Sequence, residues 1–346
     1  MRVVVIGATG NVGTAVTRAL AADHRVDEVV GVARRLPQLT IDKVVWRTAD
    51  VTTDALDVVA GADAVVHLAW AIQPSRDLAK LRRTNVDGSA RVFRAVADAG
   101  VAALVYASSV GTYSPGPKDR FVDESWPTDG VPTSFYSRHK AEVERLLDRF
   151  EQEHPSVRSV RLRPALIFKR ESAEEQRRLF AGPFVPSSLV RRGLIPFVPD
   201  VPGLRFQTVH SYDIGDAYRL AATGDARGAF NVAAEPVVDP DALARLLHVR
   251  KVPVPQSVLR GATSLSWKLR LQPSPPGWID LALQTPLLDS SRARNELGWS
   301  PRYTGLRALE DVLRGIRDRV GADTPPLEPS DSRVDEVAAT RVGGEQ

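Results

Sequence analysis

The chain has 346 residues, of which 43% are hydrophobic and 25% are charged. A chain of this length buries enough apolar surface to fold without disulfides or a metal, and its composition excludes a wholly disordered protein, so we expect one large α/β unit or two domains. The sequence contains no cysteine, which excludes disulfides, cysteine-ligated zinc, iron–sulfur clusters and thiol nucleophiles.

The formal net charge is +4, and the basic residues come in short pairs such as Arg34-Arg35. Because no run reaches about five like charges, we expect no nucleic-acid partner. No apolar stretch approaches the ~20 residues of a membrane span, and the apolar start Val3–Ile6 is shorter than the roughly 7–15 residues of a signal-peptide core. We therefore expect a cytoplasmic protein with no membrane partner.

Short apolar runs alternate with helical patterns through the first half of the chain. The runs predict buried strands at Val3–Ile6, Val29–Val32, Lys43–Trp46, Ala64–Leu68, Ala103–Ala107 and Val157–Leu162. Apolar residues at helical spacing predict helices along Val12, Val16 and Leu20, over Asn85–Ala99 and over Tyr136–Phe150. This alternation predicts an α/β fold, a Rossmann-like doubly wound parallel sheet with helices on both faces, which binds its ligand beyond the carboxyl ends of the strands.

The composition changes near Arg163. We divide the chain into a nucleotide-binding domain, a smaller, mixed substrate-binding or cap region and a disordered tail, at residues 1–162, 163–321 and 322–346. Within the cap region, Val209 and Phe230–Val232 are expected to return to the sheet as strands. The stretch Phe180–Phe206 is rich in proline, glycine and large apolar side chains, which predicts a loop-and-helix cap.

A glycine-rich segment follows the first predicted strand directly. It has the spacing G-x-x-G-x-x-G, with Gly7 at the tight turn, Gly10 where the backbone must approach a pyrophosphate, and Gly13 where the helix packs on the strand. The N–H groups and partial positive charge of the helix N-terminus favour phosphates. The segment therefore predicts a dinucleotide cofactor, held by Gly7, Thr9, Gly10, Asn11, Val12 and Gly13.

The end of the second predicted strand bears on the choice of cofactor. A site that prefers NAD usually has an acidic residue there for the ribose hydroxyls, but this chain has Ala33 followed by Arg34 and Arg35. A guanidinium can bind a 2′-phosphate with two hydrogen bonds, so the doublet favours NADP over NAD. The alternative is a solvated pair of surface charges.

Tyr136 and Lys140 form a Y-x-x-x-K pattern at the start of a predicted helix. Residues four apart share a helix face, so the phenol and the ammonium can point into one site. A free tyrosine has a pKa of roughly 10, and a nearby ammonium should lower it. Ser108-Ser109 ends a predicted strand upstream, at the edge where a doubly wound sheet carries out its chemistry.

Taken together, these motifs resemble the extended short-chain dehydrogenase/reductases, the NAD(P)-dependent epimerase/dehydratase family, over about residues 1 to 315. The residues that carry the resemblance are the segment Gly7–Gly13, Asp50-Val51, His67-Leu68-Ala69, Asn85-Val86-Asp87-Gly88, Ser108-Ser109, Tyr136 to Lys140, Arg163-Pro164, Val209-His210 with Asp213, and Asp289 to Trp299.

The resemblance implies a role for each of these side chains. Tyr136 is the general acid/base, Lys140 tunes it and holds the nicotinamide ribose, and Ser109 hydrogen-bonds the reacting oxygen. Asn85 is either the fourth member of this catalytic group, which orients the site, or a helix N-cap. The implied contacts to the adenine and along the cofactor are Asp50, Val51, Leu68 and Ala69. His67 and His210 are expected to make structural hydrogen bonds.

The sequence departs from the family pattern at positions that bear on the reaction. Family dehydratases carry an Asp-Glu pair where this chain has Val110 and Gly111, which disfavours a dehydratase. Pro164-Ala165-Leu166-Ile167 lacks the asparagine that family epimerases place against the sugar nucleotide. Phe206 occupies the position where family epimerases have an arginine that binds the diphosphate, although Arg205 is adjacent. The absence of the asparagine and of the arginine predicts a more apolar substrate pocket.

Three functions remain open. The first is an oxidoreductase that transfers hydride between NADP or NAD and a secondary alcohol or ketone, the second an NAD-dependent nucleotide-sugar epimerase, and the third a non-catalytic dinucleotide-sensing protein. The 6 histidines show no metal-ligand spacing, so we expect no metal. The expected partners are a small-molecule substrate and a second copy of the chain, because the family often dimerises through the helices that carry Asn85 and Tyr136.

Overall fold

A computed structural model describes residues 1–72, 75–180, 196–269 and 275–328. Its strands are β1 (Arg2–Ile6), β2 (Glu28–Ala33), β3 (Val44–Thr48), β4 (Ala64–His67), β5 (Ala103–Ala107), β6 (Phe121–Val122), β7 (Arg158–Pro164), β8 (Leu166–Phe168), β9 (Phe197–Asp200), β10 (Phe206–His210), β11 (Gly228–Val232), β12 (Ala234–Val238), β13 (Arg250–Pro253) and β14 (Leu287–Leu288).

The α-helices of the described ranges are α1 (Asn11–Ala21), α2 (Leu78–Arg82), α3 (Gly88–Asp98), α4 (Phe135–Glu153), α5 (Ala173–Phe180), α6 (Ser211–Thr223), α7 (Pro240–Leu247), α8 (Gln256–Lys268), α9 (Gly277–Gln284), α10 (Ser291–Glu296) and α11 (Gly305–Asp318). Short 3₁₀ turns lie at Asp57–Val59, Val110–Thr112 and Arg170–Ser172, and a π-turn at Arg83–Asp87 leads into α3.

Seven parallel strands form the main sheet in the order β11-β7-β5-β4-β1-β2-β3. Each strand predicted in the first half overlaps one of them. Val3, Val4 and Val5 are completely buried, as expected for a central strand that helices cover on both faces. Chain order reverses between β1 and β4, so the predicted Rossmann-like doubly wound sheet is confirmed, and its ligand crevice lies at the carboxyl ends of these two strands.

The second half returns to this sheet only in part. Phe230–Val232 lies in β11 and pairs with β7, as predicted. Val209 lies in β10 of a separate three-stranded sheet, β12-β10-β8, so the expectation that it joins the main sheet is wrong. The physical reason is that β10 pairs in parallel with β8, a strand that begins two residues after β7 ends and carries the backbone away from the main sheet.

The predicted cap and tail are described only at their edges. Of Phe180–Phe206, residues 181–195 lie outside the described residues, and Phe197–Asp200 forms a strand that pairs with β13. Residues 322–328 pack on the body, where Leu327 is fully buried and the Gln38 N–H donates to the Asp323 carbonyl at 3.1 Å. A disordered tail therefore cannot begin before residue 329, and residues 329–346 lie outside the described ranges.

A buried carboxylate joins helix α4 to the main sheet. Glu144 accepts hydrogen bonds from Arg161 at 2.9 Å and from Arg163 at 2.8 Å and 3.0 Å, and the Ser108 hydroxyl donates to the same carboxylate. Glu144 is 1% exposed. The two guanidiniums hold the pKa of Glu144 at about 2 although burial alone would raise it. The cluster orients α4 relative to β5 and β7, whose carboxyl ends face the ligand crevice.

We expect Glu144 to make the free energy of unfolding depend on pH. Because its pKa falls from an ordinary 4.5 to about 2 in the fold, the ionised carboxylate stabilises the protein above pH 4.5. This contribution, on the order of 3 kcal/mol, is lost as the pH falls toward 2. Urea unfolding across this range should show a steeper loss for the native chain than for Glu144→Gln. The exposed Glu153→Gln, on the same helix, should match the native profile, and equal profiles for all three proteins would contradict the assignment.

Candidate active site

The glycine-rich turn joins β1 to α1 in a conformation that its first and third glycines make possible. Gly7 has φ +92°, its N–H donates to the Val32 carbonyl at 2.8 Å, and a Cβ there would lie 2.7 Å from the Ala69 nitrogen. A Cβ at Gly13 would lie 2.2 Å from the Gly7 oxygen. Both positions therefore need glycine for the chain's own packing.

Gly10 differs from these two glycines. A Cβ there would meet only the Gly7 oxygen, at 3.9 Å. Gly10 caps α1 with extended backbone and no side-chain hydrogen bond, whereas Thr9 is buried within the turn and Val12 packs partly on the core. A side chain at Gly10 would therefore meet almost nothing of the described chain, so glycine here is not required by the chain's own packing and suits a phosphate that approaches the backbone.

The Asn11 side chain is engaged inside the protein. Its amide donates to the Ile167 carbonyl at 3.1 Å and accepts from the Ser211 hydroxyl at 2.7 Å, which ties α1 to β8 and α6. Lys169 donates to the Asn11 carbonyl at 3.0 Å. The Asn11 N–H lies near the Glu175 carboxyl group and favours its ionised form. Asn11 can therefore contribute to a phosphate site only through its backbone N–H, and Glu175 lies close to that donor.

The other predicted cofactor contacts lie along the same edge of the sheet. Arg34 and Arg35 follow β2, both exposed and with no hydrogen-bond or ion-pair partner within the described residues. The Asp50 carboxylate accepts from the N–H and hydroxyl of Thr52, at 2.8 Å and 2.7 Å. The buried Val51 and the half-buried Leu68 and Ala69 complete this set, and Ala69 lies against Gly7.

Tyr136 and Ser109 meet at the carboxyl ends of the strands. Tyr136 lies in the first turn of α4, whose N-cap is Ser134, and its hydroxyl lies near enough to the Ser109 hydroxyl for Ser109 to lower its pKa. Ser109 also accepts from the Gly111 N–H at 3.0 Å. A Cβ on Gly111 would lie 2.8 Å from Cε1 of Tyr136, so the tyrosine ring occupies the space of a side chain at that position. An acidic residue at 111 is incompatible with this arrangement.

Two indole rings flank the Tyr136 ring. The Trp70 ring centre lies 5.9 Å away and the Trp278 ring centre 5.1 Å away. Burial raises the pKa of Tyr136 to about 12, and the nearby Ser109 hydroxyl only partly offsets this rise. A phenol with this pKa is protonated at neutral pH.

Lys140 is engaged away from the Tyr136 ring in this arrangement, and the expectation that it lowers the pKa of Tyr136 stays a prediction. Its ammonium donates to the Ala107 carbonyl at 2.6 Å and lies 3.5 Å from the centre of the Trp70 ring, but 6.0 Å from the centre of the Tyr136 ring. Burial also lowers the pKa of Lys140 well below its usual range. The carbonyl and the indole are the groups that stabilise its charged form here.

Asn85 is fully buried, and its side-chain amide makes two hydrogen bonds to the backbone of a single residue, Ala71. Its amide oxygen accepts from the Ala71 N–H at 2.7 Å and its nitrogen donates to the Ala71 carbonyl at 3.0 Å. It lies inside the π-turn and caps no helix, which removes the N-cap alternative. Asn85 therefore holds the loop after β4 that carries Trp70, and it is a positioning residue by its contacts.

His67 and His210 make structural contacts. His67 Nε2 lies 2.9 Å from the Ser89 hydroxyl, and burial lowers the pKa of His67 to about 3, so the ring is neutral. His210 accepts from the Tyr212 N–H at 3.2 Å and stacks on Tyr303. Within the described ranges, no cluster of three or more histidine or acidic side chains could hold a metal. In the same ranges, no helix is both long and apolar enough for a membrane crossing.

Sequence reasoning missed residues whose signals are weak one at a time. Glu144 lies four residues after Lys140 and therefore on the same, buried face of α4. An acidic residue on a face that is otherwise expected to be buried was the signal in the sequence that could have identified it. The sequence shows that position 111 has a glycine where family dehydratases have an acidic residue. It does not show that Gly111 contacts Tyr136. Nothing local in the sequence separates Trp70, Trp278 or Glu175 from ordinary packing or surface residues.

One known protein family matches more than half of the chain. A family model described as the NAD dependent epimerase/dehydratase family covers residues 3–195. An uncharacterized protein of Mycobacterium tuberculosis H37Rv is 28% identical, over 99% of this chain and 35% of the relative, so the chain spans about a third of that relative's length. A second uncharacterized protein of the same strain is 25% identical, over 90% of this chain and 83% of the relative.

Solved structures share the fold. UDP-glucose 4-epimerase of Thermus thermophilus, in complex with NAD, has a TM-score of 0.70 and 22% identity, covering 92% of this chain and 100% of that one. The dTDP-glucose 4,6-dehydratase DesIV of Streptomyces venezuelae, also with NAD bound, has a TM-score of 0.68 and 19% identity, covering 92% and 97%. At these identities the likeness shows the fold alone.

We expect the second and third glycines of the turn to respond differently to substitution. Gly10→Val should leave the free energy of unfolding within about 1 kcal/mol of the native value, because the space is open, yet abolish dinucleotide binding. Gly13→Ala should destabilise the fold by more than about 3 kcal/mol, because its Cβ would overlap the Gly7 carbonyl. Urea unfolding and fluorescence titration with NADH and NADPH measure both effects. Normal binding by Gly10→Val would show that the phosphate lies elsewhere.

Proposed function

The chain belongs to the NAD dependent epimerase/dehydratase family, and on that basis we propose that it is an NAD(P)-dependent oxidoreductase acting on a secondary alcohol or ketone. The observation that carries the proposal is that the Tyr136 phenol, packed against Gly111, lies near the Ser109 hydroxyl at the same carboxyl edge of the parallel sheet as the glycine turn. A phenol and a hydroxyl paired in this way can hold and protonate one carbonyl oxygen between them.

The residues present fit a dinucleotide. The missing side chain at Gly10 and an N-cap without a side-chain hydrogen bond suit a pyrophosphate, and the exposed Arg34 and Arg35 suit a 2′-phosphate. Lys140, one turn after Tyr136, would donate to the ribose hydroxyls in exchange for its bond to the Ala107 carbonyl. When bound, the nicotinamide supplies or accepts the hydride.

In this mechanism Tyr136 is the general acid/base that donates or accepts the proton. In ketone reduction its hydroxyl donates a proton to the carbonyl oxygen while Ser109 hydrogen-bonds that oxygen, and in alcohol oxidation the proton returns to Tyr136. The raised pKa keeps the phenol protonated at neutral pH in the arrangement described here. Asn85, through its two bonds to Ala71, keeps the loop of Trp70 in place beside the phenol.

The surroundings of Tyr136 favour an apolar substrate. The rings of Trp70 and Trp278 both pack near its ring. Arg205, adjacent to the position that binds diphosphate in family epimerases, donates to the Lys118 carbonyl at 2.6 Å and so is engaged within the chain. The packing of Tyr136 on Gly111 also leaves no room for the acid of a dehydratase.

A nucleotide-sugar epimerase is the second candidate, favoured by the likeness to a UDP-glucose 4-epimerase solved with NAD. An epimerase regenerates its cofactor within each turnover, so it should purify with tightly bound NAD and produce no net change in NADH absorbance. A reductase should exchange cofactor freely and oxidise NADPH in the presence of a ketone. A cytoplasmic location and a homodimer stay predictions.

Tyr136→Phe should lower turnover by roughly 10²–10⁴-fold, because it removes the hydroxyl that transfers the proton. Cofactor affinity should change little, since the ring remains. The measurement is ketone-dependent NADPH oxidation together with a cofactor titration. Tyr303→Phe removes a phenol from the His210 stack and should keep full activity. Near-native turnover in Tyr136→Phe would remove this residue from the mechanism.

The arginine doublet should determine the cofactor preference. A guanidinium–phosphate contact contributes ~1.5–3 kcal/mol, so the native chain should prefer NADPH over NADH by roughly 10- to 100-fold. Arg34→Ala should remove much of this preference by weakening NADPH alone, because NADH has no phosphate there. Titration of both cofactors against the native chain, Arg34→Ala and Arg35→Ala tests the idea. If the native chain binds NADPH and NADH with equal affinity, or if Arg34→Ala weakens NADH binding as much as NADPH binding, the two arginines are only solvated surface charges.

A further inference from the structure

Glu175 places a carboxylate at the N-terminus of α1. It lies on α5, and its carboxyl group is near enough to the Asn11 N–H, the donor next to Gly10, for that N–H to favour the ionised carboxylate. Its Oε2 is buried and has no hydrogen-bond partner in the part of the chain that the structure describes. Buried carboxylate oxygens are rarely left without a partner, because each lost hydrogen bond costs solvation. A negative group therefore lies where an incoming phosphate would seek the same N–H.

The charges around Glu175 only partly compensate for its burial. Lys169, from the turn after β8, and Arg178, on α5 itself, favour its ionised form, as does the Asn11 N–H. Lys169 is itself committed to the Asn11 carbonyl and to the Thr14 hydroxyl, at 3.0 Å and 2.5 Å. Burial is the largest influence and raises the pKa of Glu175 above its ordinary value. The carboxyl group is therefore held in an unfavourable position that a proton or a displacement of α5 would relieve.

We propose that Glu175 competes with the cofactor pyrophosphate for the N-terminus of α1, so that dinucleotide binding requires this carboxylate to take up a proton or leave. The proposal rests on the proposed function, since it needs a dinucleotide at the glycine turn. Glu175 is then an internal anion that sets the affinity and the pH dependence of cofactor binding. It is not a catalytic residue, because it touches neither Tyr136 nor Ser109 in the described contacts.

The test is binding of NADH, which lacks the titrating 2′-phosphate, to the full chain from about pH 5.5 to 8.5. Two charges about 5 Å apart at a protein surface repel by enough to change affinity roughly 10- to 100-fold. We expect the native chain to bind NADH more tightly as the pH falls, because protonation removes the competing charge. Glu175→Gln should bind NADH roughly 10- to 100-fold more tightly than the native chain at the upper pH, with little pH dependence.

Calorimetry in buffers of different ionisation enthalpy gives a second readout. The native chain should take up protons when NADH binds at the upper pH, and Glu175→Gln should take up fewer. Glu174→Gln is the matched control, with the same change of charge on the same helix, because Glu174 pairs with Arg177 and not with Asn11. It should keep the native affinity, pH profile and proton uptake.

The outcomes separate this inference from the proposed function. If the native chain binds NADH and Glu175→Gln binds with equal affinity and the same pH profile, the competition is refuted while the cofactor site stands. If Glu175→Gln weakens binding, the carboxylate supports the cofactor and the proposal is overturned. If neither protein binds NADH or NADPH at any pH, the proposed function fails, and the competition fails with it.

Discussion

The buried carboxylate of Glu144 determines where the reactive side chains lie. It receives hydrogen bonds from two arginines of β7 and from Ser108 at the end of β5, and it stands two turns after Tyr136 on α4. An ion pair buried to this degree tolerates little displacement, because each lost hydrogen bond would leave a charge without a partner in a dry interior. The helix therefore has one orientation on the sheet, and Tyr136 reaches Ser109 as a consequence. The glycine turn sits beside them because Gly7 contacts the end of β4.

Local patterns predicted the main sheet and the turn well, since their causes are local. A strand covered on both faces needs a continuous apolar run, and Val3–Ile6 supplies one. Gly7 and Gly13 contact chain segments close to them in sequence or on the next strand. The pairing of Val209 with β8 could not be predicted. An apolar sequence pattern shows that a strand is buried, but it does not show which other strand pairs with it. The direction of Lys140 likewise depends on Trp70 and Ala107, which come from other elements.

Two charged groups at the predicted cofactor site are bound to the protein itself. The Lys140 ammonium is held by the Ala107 carbonyl and the Trp70 ring, and the Glu175 carboxylate lies near the Asn11 N–H. Under the proposed function, one group would have to donate to a ribose and the other would repel a pyrophosphate. A dinucleotide would therefore have to replace these internal contacts with better ones. Binding and rearrangement are then one process, and the affinity is the difference between the two sets of contacts.

Under the proposed function, the same rearrangement completes the acid/base. With Lys140 turned to Ala107, the phenol of Tyr136 sits between two indoles and keeps its proton, since its pKa is about 12. A ribose hydroxyl near α4 would offer the ammonium an acceptor closer to Tyr136, and a positive charge brought closer lowers the pKa of a phenol. The tyrosine then becomes able to give up its proton only after the cofactor is in place. Because the reactive state of Tyr136 depends on where Lys140 points, cofactor binding and proton transfer are linked through this one ammonium.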